Sequence, residues 1–177
     1  MSTTKWSIDP THSEIQFKVK HLMITTVTGN FNEFTAAIES EKEDFSDAKI
    51  SFSATTNSVD TKNEQRDTHL KSADFFDGEK YPELKFVSTK FIKVDGSEYE
   101  LQGDLTIKEV TKSVKLSVEF GGLATDPWGN SKAGFTLTGK INRKDFGLNW
   151  NAALEGGGLL VSEEVRLLAE VQFVKQV

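Results

Sequence analysis

Apolar and polar residues alternate along most of this chain, and this period of two constrains its fold more than any other feature. In the first such segment, Ile15, Phe17 and Val19 alternate with charged and amide side chains. Successive side chains of a β-strand point to opposite faces, so the pattern places apolar residues on one face and charges on the other. It predicts an antiparallel sheet that buries one of its faces.

Further segments with the same period bring the predicted total to about eight strands. One of them reverses its parity between Phe31 and Phe34, which predicts a β-bulge near Asn32 and Glu33. Short polar turns, such as the one at 94–97, join most of the segments. The alternating segments lie at 15–21, 27–38, 50–54, 84–86, 99–107, 114–120, 133–141 and 165–173.

Eight antiparallel strands with one apolar face form either a sandwich or a closed barrel. Gly29, Gly103 and Gly139 lie inside strand patterns, where a glycine usually marks a bend or a close approach, and this favours a barrel. The interior of a barrel of about eight strands is either filled by side chains or holds one small ligand. Alternation alone leaves both interiors open, because aromatic and long aliphatic residues line packed cores as well as cavities.

The segment 58–86 interrupts the strand pattern with a charged stretch that predicts a helix. Thr61 and Glu64 have the spacing of a capping box, so we expect the helix at about 62–73, in an insertion that extends to residue 76. The predicted helix has a thin apolar face. We therefore expect it to lie on the barrel rather than inside it.

Composition limits the class of protein. The length of 177 residues suits a single domain over 1–177, and the net charge of −6 disfavours both nucleic acid and a membrane surface. The chain has no cysteine, which excludes disulfides and thiolate chemistry. No stretch approaches the roughly 20 apolar residues of a membrane span. The N-terminus lacks the apolar core of a signal peptide, so we expect a cytoplasmic location, or a periplasmic one if a leader was removed.

The predicted helix carries the residues that most resemble an acid–base site. However, Asp67 and Lys71 have the spacing of an exposed ion pair, and no nucleophile elbow presents Ser72, so we predict no catalytic residues. Arg66 and His69 are three residues apart and share one helical face. Because arginine offers a planar fork of donors, this pair suits a polar or anionic head group at the mouth of a cavity.

Three other motifs have structural interpretations. The histidines have no metal-ligand spacing, so we predict no metal site. The glycine run at 156–158 lacks the flanking sequence of a phosphate-binding loop and predicts a flexible loop. Arg143 and Asp145 predict a tight turn that is held by a contact between their side chains, with the aromatic side chains nearby packed inward.

Several sequence blocks occur in an order that identifies a family. WSIDPTHS at 6–13 precedes the first alternating strand, and HLMITTVTGNF covers 21–31. The most specific block is RDTHLKS at 66–72, followed by FFD at 75–77. GDLTIK at 103–108 comes next, and Arg143 then precedes DFG at 145–147. Over nearly its whole length the chain resembles the YceI-like family of polyisoprenoid-binding proteins.

The resemblance implies an all-β fold, a lipocalin-like antiparallel barrel, often dimeric, that binds a long isoprenoid or similar amphiphilic lipid without catalysis. An isoprenoid or quinone-like lipid would be the ligand, with no other cofactor, and the chain would carry, store or sequester it as a homodimer. Arg66, Asp67 and His69 are assigned to the head group or mouth. The residues assigned to the lipid tail are Phe17, Val19, Phe31, Phe52, Phe75, Phe76, Phe86, Leu105, Leu116, Phe135, Leu137 and Trp150.

Two other functions remain open from the sequence. The first is an enzyme that acts on an isoprenoid lipid through His69 with Asp67 or Arg66. The second is a stress-related module with a solidly packed barrel and a protein partner. A cavity of several hundred Å³, the usual scale of a ligand pocket, separates both lipid-handling functions from the packed module.

Overall fold

The alternating segments form β-strands in the computed structural model, which describes residues 3–151 and 161–176. The described residues form one α-helix and eleven strands. The predicted glycine-rich loop at 156–158 lies outside the described residues. The strands are β1 (Thr4–Ile8), β2 (Glu14–His21), β3 (Thr25–Phe31), β4 (Phe34–Ser40), β5 (Lys49–Thr55), β6 (Val59–Asp60), β7 (Glu83–Asp95), β8 (Glu98–Ile107), β9 (Val110–Thr125), β10 (Ser131–Asn142) and β11 (Glu164–Lys175), and the helix is α1 (Glu64–Lys71).

All of these strands belong to one antiparallel sheet that closes on itself. Its order around the barrel is β1, β4, β5, β7, β8, β9, β10 and β11, and β1 pairs with β11 to close the ring. β1 and β2 are consecutive parts of one strand of the wall, and β3 and β4 are consecutive parts of the next. β2 pairs with β3 and with a different part of β11 from the one that pairs with β1. The wall is therefore an eight-stranded barrel with one helix, and the predicted fold class is confirmed.

The predicted bulge corresponds to the break between β3 and β4. Before the break Gly29 and Phe31 are buried, and after it Ala36 and Ile38 are buried, so the parity of the inward side chains changes at Asn32 and Glu33. Because of this change, the segment pairs with different strands on the two sides of the break. β3, before the break, pairs with β2, and β4, after it, pairs with β1 and β5.

Two of the strand glycines make room for aromatic rings inside the barrel. Gly29 pairs directly with Phe17, and a Cβ atom added at Gly29 would lie 2.2 Å from the Phe17 ring. A Cβ at Gly103 would lie 2.4 Å from the ring of Phe86. Both distances are far below van der Waals contact, so the missing side chains leave the space that these rings occupy.

Helix α1 is shorter than predicted and is capped by a different residue. Asn63, not Thr61, is the N-cap, because its side-chain oxygen accepts a hydrogen bond from the Arg66 amide at 3.0 Å. The predicted capping box of Thr61 and Glu64 is therefore wrong. The Thr61 hydroxyl instead donates to Asp67 Oδ1 at 2.5 Å. The helix ends at Lys71, and turns lead the chain to the buried Phe75 and Phe76.

The strand directions define two ends of the barrel. The end that we call the closed end holds the loop at 41–48 and the turns at 96–97 and 126–130. The opposite end, the open end, holds the β2–β3 turn, the helical insertion and the segments at 143–151 and 161–163. The apolar core runs between these ends and includes inward side chains from the barrel wall.

Candidate functional site

The barrel encloses a cavity of about 590 Å³. Its wall is formed by inward apolar side chains of β1 to β5 and β7 to β11, in keeping with the alternation of the sequence. The lining residues Ile15, Phe17, Val19, Leu116 and Leu137 are only partly buried, since they face this space. The volume falls within the range of small-molecule pockets, about 300–1,000 Å³.

All twelve side chains assigned to the lipid tail line this cavity. Whether they contact a ligand remains a prediction. Nine of them lie on strands and face the cavity through the inward parity, whereas Phe75 and Phe76 come from the helical insertion and Trp150 from the segment after β10. The twelve residues are Phe17, Val19, Phe31, Phe52, Phe75, Phe76, Phe86, Leu105, Leu116, Phe135, Leu137 and Trp150.

At the closed end the cavity is bounded by Phe45, a residue that the sequence interpretation missed. Its ring lies 5.4 Å from those of Trp6 and Phe135 and 5.5 Å from that of Phe120, measured between centroids, and the residue is 2% exposed. Phe45 does not belong to any alternating segment of the sequence, so the period of two does not predict that its side chain points into the barrel. The available signal was a single aromatic residue in an otherwise polar loop, at 41–47.

At the open end, three rings join the helical insertion to the segment after β10. His69 packs edge-on against Trp150, with 4.6 Å between ring centroids, and against Phe75, at 5.1 Å. His69 Nε2 lies 2.8 Å from Asp74 Oδ2. All three rings line the cavity. Because Phe75 belongs to the helical insertion and Trp150 to the segment after β10, both lie at the open end of the cavity and not along its wall.

The mouth itself is marked by exposed residues that also line the cavity. They are Lys20 on β2, and Asn63, Gln65 and Arg66 at the start of the helix. The cavity thus reaches the surface between the helix and the end of β2. These side chains are polar, in contrast to the apolar wall below them.

Of the residues assigned to the mouth, Arg66 and His69 line the cavity, and Asp67 does not. Arg66 donates to the Thr61 hydroxyl through Nε and to the Thr61 carbonyl oxygen through Nη2, both at 2.7 Å. Asp67 accepts from the Thr61 amide at 2.8 Å. The carboxylate of Asp67 therefore holds the start of the helix, and its predicted ion pair with Lys71 is not formed.

Arg143 holds the segments on either side of the mouth together. It is 2% exposed, and its guanidinium donates to four backbone carbonyl oxygens, those of Leu148, Trp150, Val161 and Ser162, at 2.6–3.4 Å. The predicted contact with Asp145 is wrong, because carbonyl groups occupy the guanidinium. Burial lowers the pKa of Arg143. Arginine suits this position because its planar fork of donors reaches several acceptors at once.

No metal-binding cluster of His, Asp and Glu occurs within residues 3–151 and 161–176. The absence of a metal site from the protein stays a prediction. In the described part of the chain, no helix is long and apolar enough to cross a membrane.

Comparison with known proteins gives one consistent family. A model of the YceI-like domain matches residues 6–173. The UPF0312 protein SAS2572 of Staphylococcus aureus strain MSSA476 is 40% identical over 171 residues, which cover 96% of this chain and 97% of that protein. The crystal structure of the Campylobacter jejuni YCEI protein is 35% identical, with a TM-score of 0.76, and the match covers 89% of this chain and 90% of that one.

A more distant solved structure has the same barrel. It is a polyisoprenoid binding domain from Saccharophagus degradans implicated in plant cell wall breakdown. The TM-score is 0.71 over 97% of this chain and 98% of that chain, at 14% identity. At this level of identity the match concerns the fold alone.

Proposed function

Because the chain belongs to the YceI-like family and encloses an apolar cavity, we propose that it binds an isoprenoid or similar long-chain amphiphilic lipid without catalysis. The observation that carries this proposal is the 590 Å³ space inside the barrel. The Saccharophagus degradans domain, a polyisoprenoid binding domain of the same fold, supports the choice of ligand class.

The apolar wall explains how a lipid tail is held. Burial of apolar surface is worth about 25 cal/mol per Å², and this contribution needs no directional contact. The wall side chains, such as Phe17, Leu105 and Leu137, therefore favour a tail by its apolar character and its fit, whatever its fine chemistry. Isoprenoid alcohols, their esters and quinone-like lipids all satisfy this requirement.

The polar mouth suits the head group of the same lipid. Arg66 and Lys20 place two cationic side chains beside the opening, and His69 lies next to them on the cavity surface. Asp67 would act indirectly, because it fixes Thr61, which in turn accepts a hydrogen bond from Arg66. In this arrangement the head group stays near water while the tail fills the barrel.

Mass spectrometry of an organic extract of the purified protein tests the proposal. We expect a retained isoprenoid or quinone-like lipid, or stoichiometric uptake of an added prenol such as geranylgeraniol. A protein that retains nothing and takes up no amphiphile contradicts the proposal.

A pair of matched variants separates uptake into the cavity from adsorption to the surface. Ala169→Trp places a large ring in the cavity, whereas Ala124→Trp places the same ring at an exposed position on β9. We expect the first variant to lower prenol uptake at least severalfold and the second to leave it unchanged. Equal effects of the two variants would mean that the lipid binds outside the barrel.

The cavity disfavours the packed module, because a solidly packed barrel has no space of this volume. No contact at His69 favours the enzyme, since its ring packs between two aromatic rings and its Nε2 atom lies beside Asp74. We therefore propose a binding role. Recovery of an added prenol in unchanged chemical form after prolonged incubation is the expected result.

The proposal also includes a homodimer and a cytoplasmic location, with no cofactor other than the lipid. Light scattering during size-exclusion chromatography tests the dimer, and a mass near that of one 19.7 kDa chain would contradict it. Fractionation of cells that express the protein from its own gene tests the compartment.

A further inference from the structure

Phe45 forms the floor of the cavity. Its ring contacts Phe135, which lines the cavity, and also Trp6 and Phe120, which do not. Phe45 therefore separates the cavity from the aromatic side chains below it. Unlike the residues of the wall, it enters the barrel from a loop, so its position is independent of strand pairing.

The loop at 41–48 is held firmly enough to fix this ring. Asp47 accepts hydrogen bonds from the Ser40 hydroxyl at 2.7 Å and from the Glu41 amide at 2.9 Å. The Tyr99 hydroxyl donates to the Asp44 carbonyl oxygen at 2.7 Å, and the Ala48 amide donates to the carbonyl oxygen of Phe45 at 2.9 Å. These contacts fasten the loop on both sides of Phe45.

The backbone of Phe45 is itself unusual. Its φ angle is +61°, in the left-handed region that a bulky residue rarely adopts. Such a conformation persists when the surrounding structure determines it, and residues of this kind are found at functional sites. Here the conformation turns a large ring into the barrel from a segment that is otherwise polar.

We propose that Phe45 sets the maximum length of the lipid tail that the barrel accepts. This inference rests on the proposed lipid-binding function and extends it to chain-length specificity. A tail that enters from the mouth ends at the Phe45 ring. The phenyl ring has about as many carbon atoms as one isoprene unit, so its removal makes room for about one further unit.

Competition among prenols that differ by one isoprene unit tests this role. The protein is incubated with an equimolar mixture of farnesol, geranylgeraniol, geranylfarnesol and longer prenols, and the bound lipids are extracted and quantified by mass spectrometry. We expect Phe45→Ala to raise the ratio of the next longer prenol to the one preferred by the wild type. One extra methylene in an apolar pocket changes selectivity about tenfold or more, which sets the expected scale.

Two further variants keep the test decisive if Phe45→Ala does not fold. Phe45→Leu removes less of the ring and shifts the preference in the same direction by a smaller factor. Ala48→Leu adds side-chain volume at a buried lining position in the same loop, so it shifts the preference towards shorter prenols. Opposite shifts from these two substitutions are the signature of a floor.

Phe146 provides the matched control. It is also a phenylalanine with 2% exposure, but it lies at the open end and does not line the cavity. Phe146→Leu therefore loses a similar amount of packing, and we expect an unchanged chain-length profile. A profile that shifts equally in Phe146→Leu would attribute the effect to general loosening and overturn the proposed role of Phe45.

The outcomes separate this inference from the function on which it rests. If the wild type takes up no prenol of any length, the proposed function itself is wrong. If the wild type binds prenols but Phe45→Leu and Ala48→Leu keep its length profile, lipid binding stands and the role of Phe45 is wrong.

Discussion

The two ends of the barrel are stabilised by different kinds of contact. At the closed end, the Phe45 ring packs among those of Trp6, Phe120 and Phe135, and hydrogen bonds fasten the loop that carries it. At the open end, Arg143 joins loop segments through hydrogen bonds to carbonyl groups, and the cluster of His69, Phe75 and Trp150 is partly exposed.

This difference has a physical consequence. A hydrogen-bonding group that exchanges its protein partner for water loses little free energy. A buried ring that moves into water loses the whole free energy of its apolar burial. We therefore expect the open end to part locally more readily than the closed end, because water can replace the hydrogen bonds that join its loop segments. On the proposed function, the lipid would enter through the open end.

Truncation of the floor should have the largest effect on stability. Phe45→Ala removes a ring that is 2% exposed, and truncations of this kind cost about 3–5 kcal/mol of unfolding free energy. Urea denaturation followed by circular dichroism measures the loss. If Phe45→Ala lost less unfolding free energy than the open-end variants described next, the closed end would not be the more strongly packed of the two.

Arg143→Met should have the next largest effect, and it should be local. The substitution leaves four carbonyl oxygens without their charged donor, at a cost of about 2–3 kcal/mol. We expect faster hydrogen exchange at the amides of Leu148 and Ser162 and unchanged exchange on β7 and β8. Arg143→Lys keeps the charge without the planar fork and should give an intermediate result.

The Asp9 carboxylate adds a pH-dependent contact on the closed-end side of the barrel. Its Oδ2 atom lies 2.9 Å from both Lys132 Nζ and His12 Nδ1, and hydrogen bonds from Thr11, Lys132 and His12 hold its pKa far below the ordinary value. A depressed carboxyl pKa stabilises the fold above the unfolded pKa of about 3.9, and this stabilisation is lost as the pH falls towards the folded value.

Asp9→Asn should therefore cost about 1–2 kcal/mol at neutral pH and progressively less in acid. Urea unfolding of both proteins at pH values of about 7, 5 and 3 measures the difference. Asp74→Asn is the control at the open end, where the carboxylate is half exposed, and we expect at most about 1 kcal/mol. A constant difference for Asp9→Asn across this range would exclude the carboxylate as its cause.

The smallest stability effect is expected for His69→Ala, at about 1 kcal/mol, because the ring is partly exposed and loses two edge contacts. Its effect on ligand release should be larger. We expect a bound prenol to dissociate severalfold faster, as measured by transfer to acceptor vesicles. His12→Ala is the matched control, because His12 also pairs with an aspartate but does not line the cavity. This variant should release the prenol at the same rate as the wild type.

The alternation of apolar and polar residues determined much of this protein. A period of two depends only on neighbours along the chain, so it predicted the reversal at Asn32 and Glu33, the inward side chains of the wall and every strand except the short β1 and β6. It found only the first part of β7, which extends to Asp95. The strand glycines likewise indicated close approach, and the rings of Phe17 and Phe86 fill the space at two of them. The resemblance of the sequence blocks then chose a closed barrel over a sandwich.

Tertiary structure decided the contacts that join distant segments. Thr61 has the spacing of a cap, but its hydroxyl donates to Asp67 and accepts from Arg66 Nε, so Asn63 caps the helix instead. Arg143 has an acidic residue two positions away, yet the folded chain surrounds its guanidinium with carbonyl groups. The floor depends on a loop that carries Phe45 across the barrel, and no local pattern encodes that. Local periodicity specifies which face a side chain takes, whereas its partner depends on which remote segments the closed sheet brings together.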